Sequence, residues 1–178
     1  FGSTESPKNN RKGLDLLIKI LNKDFFKENK FALLFYGKIE KYYKNKINIP
    51  CYSILNIKEN DYKKMSLIFS SIDMTLVPSR IESFGLIALE SLACGRPVIT
   101  FKKIGTSDLI IHRKNGFLAN YLDMESFYRG IKWYYDLDNK KKATVNNFCK
   151  SETSRNFDIK KMSKRYLEIY KNLHAKTK

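Results

Sequence analysis

Short apolar runs alternate with helical patterns along the sequence, and this alternation limits the possible folds more than any other feature. The apolar runs lie at residues 31–36, 51–55, 74–77 and 97–101. The helical patterns lie at residues 12–26, 38–45, 61–71 and 84–93. Strands that alternate with helices of about 10 to 15 residues form parallel sheets with right-handed crossovers. We therefore predict an α/β fold, a single parallel sheet with helices on both faces.

The composition favours one folded domain spanning residues 1–178. Hydrophobic residues make up 43% of the 178 residues, and a chain of this length buries about 70% of its unfolded surface. The start at Phe1, with a strand-like end running into a loop at residues 2–7, suggests a portion excised from a longer chain.

No signal peptide or long apolar span is visible, and the odd number of cysteines favours a reducing compartment. We expect a cytoplasmic protein.

The net charge of +16 is concentrated at one end of the chain. Residues 138–178 hold twelve basic and four acidic side chains, whereas residues 70–101 hold two basic and three acidic ones. Apolar residues recur every three or four positions from residue 159 to residue 173, which predicts an amphipathic basic helix within residues 157–178. The favoured interpretation is a solvated face opposite an apolar stripe that docks on the domain.

Two other interpretations of the charge remain open. The helix can be attracted to an anionic membrane surface, such as the inner face of the cell membrane. A basic nucleic-acid-binding domain is the non-enzyme alternative. We find no RNA-binding signature, zinc-finger spacing or helix-turn-helix pattern, so specific nucleic-acid recognition is not expected.

Residues 77–101 carry the densest chemical signal in the sequence. Ser83, Phe84 and Gly85 open a predicted helix whose free N–H groups and dipole favour an anion. Glu82 precedes this helix start and Glu90 lies within the first two turns. Carboxylates accept paired sugar hydroxyls, so this pattern favours a sugar phosphate or nucleotide sugar over a bare polyanion. The alternative is a helix-capping acid at Glu82 and an exposed helical residue at Glu90.

Several segments resemble one enzyme family in the same order. Glu82 and Glu90, with seven residues between them, resemble the E-x7-E motif of the group-1, family-four retaining glycosyltransferases of GT-B fold. Residues 10–17 (NRKGLDLL) resemble the RKG-x-DLL element that opens the C-terminal, nucleotide-sugar-binding domain of that family. Residues 104–110 and 115–118 match two weaker segments. Residues 157–170 loosely match the closing helix.

The resemblance implies a Rossmann-like donor-binding domain, the C-terminal half of a GT-B enzyme, without its N-terminal acceptor domain. It implies hexose transfer from a nucleoside-diphosphate sugar to a glycan or lipid-linked acceptor, with retention and without a metal, as in cell-surface polysaccharide biosynthesis. The implied donor-binding residues are Arg11, Lys12, Glu82, Ser83, Phe84, Gly85, Leu86 and Glu90.

Within that set, the resemblance assigns separate roles. Lys12, with Arg11, meets the diphosphate, and the backbone N–H groups of residues 84–86 hold phosphate or sugar oxygens. Glu82 accepts hydroxyls of the donor sugar and Glu90 those of the ribose, while residues 55–57 lie near the base. Lys12 and Glu82 are the implied catalytic residues.

Other candidate motifs carry little weight. The acidic pair of Asp136 and Asp138 follows a helical pattern, so we interpret it as a helix-end turn. His112 and His174 are too far apart to suggest a metal pair. The dinucleotide fingerprint G-x-G-x-x-G is absent, so hydride transfer has no support. A nucleotide-sugar epimerase or a phosphorylase of related fold remains the alternative enzyme class.

Overall fold

The computed structural model of the protein describes residues 10–36, 43, 45–47, 54–57 and 61–176. The helix predicted at residues 38–45 lies outside these residues, apart from Tyr43, which is helical, and residue 45, which lies in a turn. The predicted opening loop at residues 2–7 also lies outside them.

The helices are α1 (Leu14–Leu21), α2 (Asp24–Glu28), α3 (Tyr62–Ser71), α4 (Leu86–Ala93), α5 (Met124–Tyr135), α6 (Asn139–Asn156) and α7 (Ile159–Lys176). The strands are β1 (Leu33–Tyr36), β2 (Ile54–Ile57), β3 (Thr75–Val77), β4 (Val98–Phe101) and β5 (Gly116–Ala119). A short 3₁₀ helix, Gly105–Leu109, follows β4.

Every strand pairing among the described residues is parallel, as the sequence predicts. The strands pair in two groups, β1 with β2 and β3 with β4 with β5. Leu33 and Phe35 of β1 belong to the same apolar core as Leu76 and Ile99 of the second group. The two groups therefore share one hydrophobic core, which is the α/β architecture of the prediction.

Helices cover both faces of the β3-β4-β5 group. Ile99 and Phe101 of β4 belong to a core with side chains of α1 and α5. Val98 belongs to a second core with Ala88 of α4 and Cys149 of α6. Successive strand residues point to opposite faces, so a fully buried strand such as β4 requires helices on both sides.

Helix ends follow local rules that the sequence partly reveals. The predicted cap at Gly95 is confirmed by its left-handed φ of 78°. Gly95 N–H donates to Leu92 O and Arg96 N–H donates to Ser91 O, which satisfies the last carbonyls of α4. The acidic pair near residue 137 is a helix-end turn, as predicted: Asp136 ends α5, and the Asp138 carboxylate accepts from Lys141 N–H at the start of α6.

Three predicted elements differ from the structure. The single helix expected at residues 12–26 is two helices, separated at residues 22–23. Of the strand expected at residues 51–55, residues 54 and 55 lie in β2, which continues to Ile57, and residues 51–53 lie outside the described residues. The helix expected from residue 84 begins at Leu86, because Gly85 takes a left-handed conformation that ends the preceding loop.

The predicted C-terminal helix exists as α7, but its predicted docking on the domain is wrong. The large apolar side chains of the stripe are exposed from Ile159 to Leu173. A helical period shows that a face favours burial, but it does not identify the surface that buries it. None of the helices in the described part of the chain is long and apolar enough to cross a membrane.

Candidate functional site

A cavity of about 380 Å³ lies at the carboxyl end of β3, where parallel α/β sheets bind their ligands. Its walls come from the end of β3, the loop at residues 78–85, the first turn of α4 and the loop before α1. The polar and helix-start residues among its lining are Lys12, Ser79, Glu82, Ser83, Phe84, Gly85 and Leu86.

Lys12 and Glu82 form an ion pair on the wall of this cavity. The distance from Lys12 Nζ to Glu82 Oε2 is 2.7 Å, and the two side chains are 22% and 15% exposed. The hydroxyl of the buried Ser79 donates to the same Oε2 at 3.4 Å. A pair this shielded from water is screened less by salt than a surface pair. The cavity thus presents a cation and an anion side by side.

A second, forked ion pair joins the loop after β3 to the first turn of α1. Arg80 Nη1 and Nη2 donate to Asp15 Oδ1 and Oδ2, each at 2.8 Å. Arg80 Nη1 also donates to Asn10 O at 2.7 Å, and Arg80 N–H donates to Arg11 O at 2.8 Å. Bidentate pairs fix geometry as well as charge. The hydrogen bonds from Arg80 lower the pKa of Asp15 below its usual value, although partial burial opposes the shift.

Gly13 allows the two loops to meet. Its φ is 74°, and a Cβ atom built there would lie 2.0 Å from Pro78 O. The loop at residues 78–85 is also held from its other side. Gly105 N–H donates to Glu82 O at 2.8 Å, and the Tyr121 hydroxyl donates to Arg80 O at 3.1 Å. The backbone that carries Glu82 is therefore fixed by contacts on both sides.

The start of α4 leaves polar groups facing the loop. Gly85 precedes the helix with a left-handed φ of 89°. The N–H groups of the first turn point out of the N-terminal end of α4, which is the end that lines the cavity. Thr106 packs against Gly85 and is fully buried. Within the described residues, its hydroxyl has no hydrogen-bond partner. A helix start of this kind suits a negatively charged group.

The structure brings most of the predicted site residues together. The described residues that line the cavity include Lys12, Glu82 and residues 83–86, but do not include Arg11 or Glu90. Arg11 is exposed and contributes its carbonyl to the bond with Arg80. Glu90 lies on α4, one turn beyond the lining residue Leu86. Partial burial raises the pKa of Glu90 above its ordinary value.

Other titratable groups lie apart from this cavity. His112 Nδ1 accepts from Leu118 N–H at 3.1 Å, and burial lowers the pKa of its ring. Cys149 is buried, which raises the pKa of its thiol to about 12. Across the described ranges, no three His, Cys, Asp or Glu side chains form a group that could hold a metal ion. The side chains of β2, where the base was expected, are outside the described set.

Sequence reasoning missed the Arg80 and Asp15 pair. A signal was available, because the two residues carry opposite charges, Asp15 at the start of a predicted helix and Arg80 just after a predicted strand. Ser79 and Thr106 were also missed. Their roles depend on burial, and the burial of a single polar residue has no sequence pattern.

The fold is that of a parallel α/β domain with a cavity at the carboxyl end of its strands, and comparison with known proteins gives its family. Residues 8–150 match the glycosyl transferases group 1 family. This match covers most of the 178 residues, and the chain belongs to that family.

Individual relatives agree with this assignment. A glycogen synthase of Thermodesulfovibrio yellowstonii is 26% identical over 167 residues, covering 92% of this chain and 33% of the relative. An uncharacterized glycosyltransferase of Methanocaldococcus jannaschii is 33% identical over 112 residues, covering 61% of this chain and 30% of the relative. The chain thus spans about a third of the length of these curated relatives.

A solved structure shows the same fold. The crystal structure of Alr3699/HepE from Anabaena in complex with UDP and glucose superposes with a TM-score of 0.74 at 19% identity. The match covers 96% of this chain and 47% of that one. The architecture is that of GT-B glycosyltransferases, and 178 residues fit a C-terminal domain of that fold.

Replacing Gly13 tests whether the close approach of the two loops stabilises the domain. Gly13→Ala lowers the free energy of unfolding by at least about 1 kcal/mol, because a left-handed backbone disfavours alanine and its Cβ meets Pro78 O. Gly13→Asn tolerates the backbone conformation but keeps the collision, so it loses a similar amount. Urea unfolding measures both. A Gly13→Asn variant as stable as the wild type would show that the contact with Pro78 is unimportant.

Replacing Asp15 tests the forked pair. Asp15→Asn lowers the free energy of unfolding at neutral pH by about 1 to 2 kcal/mol, because Arg80 loses a charged partner. The pKa of Asp15 is lowered in the folded state, so the stabilisation is present above its ordinary pKa of 3.8 and is lost as the pH falls below that value. The difference in free energy of unfolding between the variant and the wild type is therefore expected to be smaller at acidic pH.

The matched control for this test is Asp24→Asn, which removes an exposed pair with Lys27 within one helix. Exposed ion pairs contribute little to stability, so the free energy of unfolding of the control should stay close to that of the wild type. Equal losses in the two variants would contradict the role of the forked pair.

Proposed function

We propose that this chain is the donor-binding domain of a retaining glycosyltransferase that moves a hexose from a nucleoside-diphosphate sugar to a glycan or lipid-linked acceptor. The observation that carries the proposal is the pair of Lys12 and Glu82 on the cavity wall beside the first turn of α4. The family assignment supports a transferase, and one structural relative was solved with UDP and glucose.

Lys12 and the start of α4 would bind the diphosphate. An ammonium at the mouth of a loop is suited to the charge that develops on a departing diphosphate. The N–H groups of residues 84–86, and the unpaired hydroxyl of Thr106 behind them, add donors at the same end of the helix. These groups would supply positive potential without a metal ion. Arg11 lies one residue from Lys12 and would extend that potential outward.

Glu82 and Glu90 would bind hydroxyl groups. In the ligand-free pair Glu82 accepts from Lys12 and Ser79. When Lys12 turns to a diphosphate, Glu82 becomes available to accept from the donor sugar. Glu90, one turn along α4, would accept from the ribose, and its half-buried position makes a hydroxyl partner favourable for the carboxylate. The phosphates would then lie between the two carbohydrate rings.

The whole enzyme would need an acceptor-binding part as well. We propose an N-terminal domain of the same polypeptide, because the matching relatives are at least twice as long as this chain. The transferred sugar must meet an acceptor on the same face from which the diphosphate leaves, and this requires a second surface to position the acceptor. A cytoplasmic enzyme of cell-surface polysaccharide biosynthesis would fit these requirements.

Nucleotide titration tests the site assignment. UDP, GDP and ADP are titrated calorimetrically into the wild type, Lys12→Ala, Glu90→Ala and the matched control Lys140→Ala, which removes an exposed lysine of α6. We expect one nucleotide to bind, with affinity reduced at least about tenfold by Lys12→Ala, a loss of about 1.4 kcal/mol. Glu90→Ala also weakens binding, because the ribose hydroxyls lose their acceptor. The control should bind with the same affinity as the wild type. The assignment fails if no nucleotide binds, or if neither site variant weakens binding.

Product analysis tests the reaction class. The 178-residue chain, given UDP-, GDP- or ADP-sugars and an oligosaccharide or lipid acceptor, is expected to bind the donor but transfer little sugar, because no second surface orients the acceptor. Adding a chelator should leave donor binding unchanged, since the proposed diphosphate ligands are Lys12 and backbone N–H groups. Robust transfer by this chain would disprove the need for an acceptor domain. An epimerised donor or phosphorolysis products would instead identify an epimerase or phosphorylase.

A further inference from the structure

Ser79 is a buried polar residue beside the ion pair of Lys12 and Glu82. It is 1% exposed, although it belongs to the wall of the cavity. Its hydroxyl donates to Glu82 Oε2 at 3.4 Å, and the same oxygen accepts from Lys12 Nζ at 2.7 Å. A hydroxyl that donates to a carboxylate normally lies about 2.5 to 2.7 Å away. Lys12 therefore dominates this oxygen in the present arrangement, and Ser79 makes a weaker contact with it.

The backbone on both sides of Ser79 is held by the loop before α1. Pro78 O lies so close to Gly13 that a Cβ atom built on that glycine would be 2.0 Å away. Arg80 N–H donates to Arg11 O at 2.8 Å. Because both neighbouring residues are fixed, the Ser79 side chain starts from a fixed position next to the carboxylate.

The carboxylate of Glu82 depends on two side-chain donors. Within the described part of the chain, these donors are Lys12 and Ser79, and both bind Oε2. The Glu82 side chain is 15% exposed, so losing its cation without a replacement would leave a poorly solvated charge. The Ser79 hydroxyl and Oε2 need to approach by only about 1 Å to form a short hydrogen bond. Ser79 can therefore replace Lys12 as the main donor to this oxygen.

We propose that Ser79 is a positioning residue for Glu82. When Lys12 turns to the diphosphate, the Ser79 hydroxyl holds Oε2, and Oε1 is left to accept from the hydroxyl groups of the donor sugar. This role rests on the function proposed above, because it requires that the cavity binds a nucleoside-diphosphate sugar. Ser79 then contributes to recognition of the sugar and not to binding of the nucleotide.

The Ser79→Ala variant separates this role from a structural one. UDP, GDP and ADP, and then UDP-glucose, GDP-mannose and ADP-glucose, are titrated calorimetrically into the variant and the wild type. We expect the variant to lose at least about fivefold in affinity for the sugar nucleotide, the effect of about one hydrogen bond. It should bind the corresponding diphosphate as the wild type does. A structural role would weaken the binding of both ligands alike.

Ser91→Ala is the matched control. Ser91 is fully buried, and its hydroxyl lies 2.7 Å from that of Thr75, at the opposite end of β3 from Ser79. This variant also loses a buried hydroxyl, and it should bind both ligands as the wild type does. Ser79→Cys keeps the shape of the side chain but donates weakly. It should show the same selective loss, and it provides the test if the alanine variant does not fold.

A double variant tests whether Ser79 acts through Glu82. If it does, Ser79→Ala combined with Glu82→Ala binds the sugar nucleotide no more weakly than Glu82→Ala alone. A further loss in the double variant would overturn the role of Ser79. So would an unchanged ratio of the two affinities in Ser79→Ala, or a wild type that binds a diphosphate but none of the sugar nucleotides. Failure of every nucleotide to bind to the wild type would instead refute the proposed function, and the role of Ser79 with it.

Discussion

The forked pair of Arg80 and Asp15 joins the loop after β3 to the first turn of α1, 65 residues away in the chain, and the candidate site depends on that connection. It holds the loop before α1 against the loop after β3, while Gly13 removes the side chain that would keep them apart. In this arrangement Lys12 Nζ lies 2.7 Å from Glu82 Oε2. The contact between the loop before α1 and the loop after β3 therefore brings Lys12 and Glu82 together.

The resulting cavity combines features that are individually common. It has a cation and a carboxylate on one wall, a helix start at its end and a fixed loop backbone between them. Together they can complement a molecule with a charged phosphate part next to a hydroxyl-rich part. Because the loop is held from both sides, little ordering of the backbone around Glu82 is needed on binding, which lowers the entropic cost of association. The aromatic contact between Phe84 and Phe157 connects the cavity wall to the segment just before α7.

The alternating pattern of the sequence predicted the parallel α/β fold, and the family resemblance implied that Lys12 and residues 82–86 belong to one site. The sequence did not predict the break between α1 and α2, where no proline or glycine interrupts the helical pattern. Nor could it identify Arg80 with Asp15, since partners between distant loops depend on three-dimensional approach. The docking of α7 was predicted wrongly because amphipathicity describes one surface and leaves its partner undefined.

The most direct measurement is a crystal structure of this chain with a nucleoside diphosphate bound. It should show the diphosphate oxygens within hydrogen-bond distance of Lys12 Nζ and of the first N–H groups of α4, with the distance from Lys12 Nζ to Glu82 Oε2 longer than the present 2.7 Å. A nucleotide bound elsewhere on the domain, with the pair of Lys12 and Glu82 unchanged, would contradict the assignment of this cavity as the donor site.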